Sequence, residues 1–126
     1  MFQGLRTVVY GVPDIETAKA WYQRVLGAAP YFDQPFYVGF NVGGYELGLD
    51  PDATPGTGSI NGPITYWGVP DAAAAFRRLV ELGAQEVTAV HDVGDGIRLG
   101  AVCDPFGNVL GVIEHPHFHV TESKAD

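Results

Sequence analysis

Few side chains in this chain are equipped for chemistry, and Glu46 stands first among them. It is the one carboxylate inside the run Tyr45-Glu46-Leu47-Gly48-Leu49. A carboxylate in apolar surroundings is costly unless something pairs with it or uses it. It can serve as a general base, as an anchor for an amine or hydroxyl, or persist as a hydrogen-bonded relic without a task. The residues alone leave these three readings open. Tyr37, Tyr66 and Asn41 are the neutral groups that could donate hydrogen bonds to a developing oxyanion. Cys103 lies on an apolar strand; a nucleophilic thiol needs a nearby base or positive charge, none is identifiable, and a small inert hydrophobe is expected. His115-x-His117-x-His119 would present three imidazoles on one side of an extended chain, a pattern able to chelate a soft divalent ion. Pro116 and a position in the tail count against a physiological site there. His91 reads as a loop or strand-end residue. No Ser-His-Asp or Cys-His set is present.

The elements that must position these groups come in two near copies. Val12-Pro13-Asp14 opens an apolar-periodic stretch closing at Leu26-Gly27-Ala28, and Val69-Pro70-Asp71 opens another closing at Leu82-Gly83-Ala84. One supersecondary unit used twice packs on its twin to bury a face it cannot bury alone. Leu5 to Val12 is a strand-forming run, with Asp14 the N-cap of a helix carrying Ile15, Ala18, Tyr22 and Val25 inward and Gly27 at its end. In the second copy Ile64 to Val69 is the strand and Asp71 the cap, with Phe76, Leu79 and Val80 the buried stripe. Further strands are expected at Phe36–Val42, Tyr45–Leu49, Val87–His91, Ile97–Cys103 and Val109–Glu114. Gly43-Gly44 and Gly107-Asn108 read as tight hairpin turns. The predicted fold is α+β: two tandem β-α-β-β-β modules, at about 4–50 and 64–114, whose twisted sheets enclose a cleft. A linker spans 51–63 and a fraying tail 115–126, all within one domain.

Composition excludes several classes. The chain has 126 residues, 46% of them hydrophobic and 17% charged, and no apolar run approaches the ~20 residues of a membrane span. A net charge of −8 with only seven Lys and Arg argues against nucleic acid and anionic lipid as partners. Without a charged segment leading into an apolar one at its start, and with a single cysteine, the chain is expected in the cytoplasm.

The paired strand-Val-x-Asp-helix openings and the closing run Asp104-Pro105-Phe106-Gly107-Asn108-Val109-Leu110-Gly111-Val112-Ile113-Glu114 resemble the vicinal oxygen chelate superfamily. That group includes glyoxalase I, extradiol dioxygenases and bleomycin-resistance proteins, and the resemblance covers about residues 4–118. It implies a homodimer and, in most of the family's enzymes, a divalent metal held by His or Glu from four strands. On the family pattern those positions are Thr7, Glu46, Ile64 and Gly111. Only Glu46 can bind a metal, and one carboxylate cannot satisfy a hard divalent ion. No metal or other cofactor is therefore expected.

If Glu46 faces the cleft, period-2 alternation places Thr7, Val9, Tyr37, Asn41, Ile64, Tyr66, Leu99, Ala101, Cys103 and Gly111 there too, along with Gly39, Gly48, Asp50 and Val109. Phe36, Val38 and Phe40 then meet the helix, and about two-thirds of the aromatic cluster between Tyr31 and Tyr45 is assigned to the core. The pocket would be mostly apolar with a few polar anchors, suited to a small, partly aromatic ligand. Two readings follow. The preferred one is a metal-free protein that sequesters or carries a small organic molecule. The alternative is a metal-independent lyase or isomerase with Glu46 as general base, a metal-dependent glyoxalase I-type isomerase being weaker still.

Overall fold

Each module of the computed structural model, which describes residues 1–119, opens on a strand that ends just before Val-Pro-Asp. The first contains β1 (Thr7–Gly11), α1 (Ile15–Leu26), β2 (Phe32–Gln34), β3 (Tyr37–Val42) and β4 (Tyr45–Asp50). The second contains β5 (Tyr66–Gly68), α2 (Ala72–Glu81), β6 (Gln85–Gly94), β7 (Ile97–Cys103) and β8 (Val109–Glu114). The Asp14 carboxylate accepts hydrogen bonds from the Glu16 and Thr17 amides, and that of Asp71 from the Ala74 amide. Each cap satisfies helix donors that would otherwise be orphaned, worth about 1 kcal/mol. Gly27, at φ 68°, takes the left-handed conformation that ends α1.

The strands form two four-stranded sheets, ordered β1-β4-β3-β2 and β5-β8-β7-β6. The identical order, with β1 parallel to β4 and β5 parallel to β8, is the internal repeat in three dimensions. The sheets do not close into a barrel. On one face of the first sheet Tyr10, Val38, Phe40, Leu47 and Leu49 pack with Ile15, Ala18, Trp21 and Tyr22 of α1. On the second, Val102, Leu110 and Val112 pack with Ala72 and Leu79 of α2, and the two sets form a single core.

Several expectations need correction. The buried stripe of α2 runs Ala72, Phe76, Leu79, which leaves Val80 beside it and 42% exposed. Phe32–Gln34 forms an edge strand too short for alternation to register. β3 begins only at Tyr37, so Phe36 escapes the alternation and stands 63% exposed against Phe32 instead of meeting the helix. Gly43-Gly44, with both φ angles positive, makes the tight turn. The β7–β8 connection does not: it spans residues 104–108, because Asp104 draws the Phe106 and Asn108 amides onto its own Oδ1, both at 2.8 Å. Residues 120–126 of the predicted tail lie outside the described residues.

That loop also joins the modules. The buried Tyr22 hydroxyl donates to Asp104 Oδ2 at 2.5 Å, and Asn108 Nδ2 donates to the Gly11 carbonyl at 2.9 Å. The linker is pinned to the same place, with the Gly56 amide donating to Asn108 Oδ1 at 3.2 Å and the Gly58 amide to the Gly107 carbonyl at 2.8 Å. Trp21 Nε1 donates to the Leu82 carbonyl at 2.7 Å, a second tie from α1 to the other module. Tyr22→Phe would leave Asp104 Oδ2 with only the longer hydrogen bond from Asn108 Nδ2, at 3.3 Å, so it should lower the unfolding free energy by about 1–3 kcal/mol in urea denaturation. A change below about 0.5 kcal/mol would show that the junction does not hold the modules.

Candidate functional site

Glu46 sits in β4 opposite Thr7 of β1 and Asn41 of β3. Thr7 Oγ1 donates to Glu46 Oε1 at 2.5 Å, Tyr37 Oη donates to the same oxygen at 2.6 Å, and Tyr31 Oη donates to Oε2. Glycines make the room. A β-carbon at residue 48 would stand 1.9 Å from Tyr37 Oη, and one at residue 39 would stand 2.7 Å from Glu46 Oε2 and 3.0 Å from the Tyr31 ring. Gly39 and Gly48 face each other in adjacent strands, so the cluster lies over a patch of bare backbone.

The electrostatics follow from these contacts. Burial alone would raise the proton affinity of Glu46, but the hydrogen bonds from Thr7, Tyr31 and Tyr37 outweigh it and hold the carboxyl below its ordinary 4.5. The Tyr31 phenol is pushed above 10, chiefly by its hydrogen bond to Glu46, and that of Tyr37 by burial and then the same carboxylate. At neutral pH the site is one negative charge ringed by three neutral hydroxyl donors.

Of the predicted site residues, Thr7, Tyr37 and Glu46 share this cluster. Asn41 is beside it, but its Oδ1 accepts the Gly44 amide at 2.9 Å and so serves the hairpin turn. Tyr31 was not expected: its amide donates to the Gly39 carbonyl, which extends the β2–β3 pairing by one step and carries its ring over Gly39. A Tyr-Phe pair facing a glycine-bearing strand was the available signal.

Val9 pairs with Gly48 on the same sheet face as the cluster, and the remaining predicted residues lie elsewhere. Ile64 precedes β5, and the residue opposite Gly111 is Tyr66. The parallel register has slipped by two: in the first module the residue five before Val12 pairs with Glu46, whereas in the second the residue three before Val69 pairs with Gly111. The Tyr66 ring fills the space a side chain at 111 would need, since a β-carbon there would lie 2.5 Å from Tyr66 Cδ1. Val9 and Ile64 line a small hollow of about 230 Å³. Leu99, Ala101 and Cys103 follow one another along β7; Ala101 and Cys103 are buried, and the thiol donates to the Asp104 carbonyl at 3.2 Å. Burial and then Asp104 push that thiol's pKa up, which suits an inert residue. A larger groove of about 990 Å³ runs past Trp67, Ile113 and Phe118, and Tyr66 is the one predicted residue on it.

The four family ligand positions thus hold a hydroxyl, a carboxylate, an isoleucine outside the sheet and a glycine beneath a tyrosine ring. This donor set does not fit a divalent ion. Each tail histidine meets backbone: His117 Nε2 lies 2.7 Å from the Asp95 carbonyl, His119 Nε2 lies 3.0 Å from the Pro116 carbonyl, and His115 Nδ1 accepts the His117 amide. Among the described residues no three His, Cys, Asp or Glu stand close enough to hold a metal. Nor is any helix among them long and apolar enough to cross a membrane.

The model of the Glyoxalase/Bleomycin resistance protein/Dioxygenase superfamily matches residues 4–112. The chain belongs to that superfamily. No curated protein matches its sequence. Solved structures match its fold: a glyoxalase-related enzyme from Fulvimarina pelagi is 20% identical with a TM-score of 0.76, over 96% of this chain and 94% of that one. Lactoylglutathione lyase from Agrobacterium tumefaciens is 19% identical with a TM-score of 0.70, over 94% and 100%. TioX from Micromonospora sp. ML1 is 23% identical with a TM-score of 0.64, over 89% and 98%. At such identities the likeness establishes the superfamily fold, and the chemistry must be argued from the site.

Gly48→Ala tests how the cluster is built. The added methyl must displace Tyr37 from Glu46, so the Tyr37 phenol should titrate nearer 10 in an ultraviolet or NMR titration, at a stability cost of about 1–3 kcal/mol. An unchanged Tyr37 titration would mean that the ring does not rest on the glycine.

Proposed function

We propose that this superfamily member is a metal-free binding protein that sequesters or carries a small, partly aromatic organic molecule against the open face of its first sheet. The observation that carries this reading is the set of three hydroxyls, from Thr7, Tyr31 and Tyr37, that donate to the Glu46 carboxylate. Three donors that stabilise the carboxylate make it a weak base, because proton abstraction needs a group whose pKa lies near the working pH. The same three donors fix a charge in place, which suits an anchor. Tyr31, Phe32 and Phe36 add aromatic surface of the kind small ligands use. Thr7 and Asn41 are also exposed, so a second copy of the chain, as the family resemblance implies, would complete the wall.

The lyase or isomerase reading loses support for the same reason, and the metal isomerase loses it at Gly111 and Ile64. Native mass spectrometry of freshly purified, tag-free protein should find a co-purified organic compound that is lost in Glu46→Gln, with no stoichiometric divalent ion. Chelators should leave the melting temperature unchanged, since an ion linked to folding would raise it. One equivalent of bound metal, or turnover abolished by Glu46→Gln with affinity intact, would overturn the proposal.

A further inference from the structure

Glu46 has an unusual set of partners for a carboxylate on a sheet face: three hydroxyls and no cation. Among the described residues the salt bridges are Lys19 with Glu16 and Asp33, and Arg78 with Glu81. Asp33 pairs with Val38, so it and Lys19 belong to the opposite face of the sheet. Arg6, which precedes Thr7 of the strand beside Glu46, donates to Gln3 Oε1 at 3.2 Å and to the Leu5 carbonyl. Neutral donors hold the charge but do not cancel it.

Aromatic rings border that charge. Phe32 pairs with Gly39, which puts it on the same face as Glu46, and its ring centroid lies 6.5 Å from Tyr31, 6.1 Å from Phe36 and 6.3 Å from Tyr37. Tyr31 and Phe36 are more than 60% exposed and Phe32 is 39% exposed. Large rings clustered in solvent mark a binding surface more often than a decorative one. Ring faces attract cations through their quadrupole, and a phenol donating to a carboxylate becomes richer in electrons. A bound anion would meet Glu46 head on, and a neutral molecule would leave its charge uncompensated. The chain's net charge of −8 attracts cations before contact is made.

We propose that the ligand of this site is an organic cation, an alkylated or aryl-alkyl ammonium whose nitrogen sits beside Glu46 while its carbon substituents cover Tyr31, Phe32 and Tyr37. This rests on the proposal that the open face of the first sheet is the binding site, and it names the chemistry of what binds there.

The test is an NMR titration of the full chain at fixed ionic strength with benzyltrimethylammonium, benzyl alcohol and benzoate. The ammonium should bind at least about tenfold more tightly than the alcohol and perturb the Tyr31, Phe32 and Tyr37 signals, with benzoate weaker than both. Glu46→Gln and Phe32→Leu should each weaken ammonium binding several-fold and leave the alcohol's binding nearly unchanged, melting curves confirming that both variants fold. If the alcohol binds at these rings as tightly as the ammonium, the cation proposal falls and the binding-protein reading survives. If none of the three perturbs these rings at any concentration, or the rings respond only to protein concentration as a second copy covers them, both fall.

Discussion

One buried carboxylate sets the relation between the two halves of this molecule. Asp104 organises its own loop through two amide hydrogen bonds and receives the Tyr22 hydroxyl from the other module. Its neighbour Asn108 spans the Gly11 carbonyl and the Gly56 amide. Among the described residues no buried side-chain nitrogen or oxygen lacks a partner, so the polar groups at this joint are all satisfied. A fully satisfied buried network specifies one arrangement of its neighbours, and here those are the end of β1, helix α1, the linker and the β7–β8 loop. The single core that α1 and α2 share is assembled around it.

Two modules with the same strand order have been put to different uses. In the first, Gly39 and Gly48 leave the sheet face bare, and Glu46, Tyr31 and Tyr37 occupy the space with polar atoms presented to solvent. In the second, Gly111 makes similar room but Tyr66 lies down in it, while Ala101 and Cys103 are buried beside it. Symmetry of fold has not produced symmetry of site. A metal centre shared between modules needs donors from both, and the second module offers none at the matching strand positions.

Much of the fold was legible because it follows from local signals. Asp14 and Asp71 cap helices, Gly27 ends one, and alternation sorts Val38, Phe40, Leu47 and Leu49 from Gly39, Asn41, Glu46 and Gly48. The pairing of Thr7 with Glu46 came instead from the family resemblance, which implied that both stand at ligand positions on neighbouring strands. What escaped depends on contacts between distant segments or on very short elements. The three-residue β2 gives no periodicity, so Tyr31 and Phe32 were assigned by default to a largely buried aromatic cluster, although they are exposed beside the carboxylate. The two-residue slip that replaces Ile64 by Tyr66 arises in the parallel pairing of β5 with β8, which no local pattern encodes. The Asp104 loop was visible as a motif, but its role as a bridge needed Tyr22, eighty-two positions away.

The ionisation of Glu46 decides between an anchor and a base, and it can be observed directly. In protein labelled with carbon-13, the side-chain carboxyl of Glu46 should titrate below 4.5 because the folded state favours its charged form. A carboxyl whose folded pKa is depressed contributes stability above its unfolded pKa and loses that contribution as the pH falls through the folded value. The unfolding free energy should therefore drop across the same acidic window, and Glu46→Gln should remove that part of the drop. A Glu46 carboxyl titrating well above 4.5, toward neutrality, would contradict the account and make this residue a competent base.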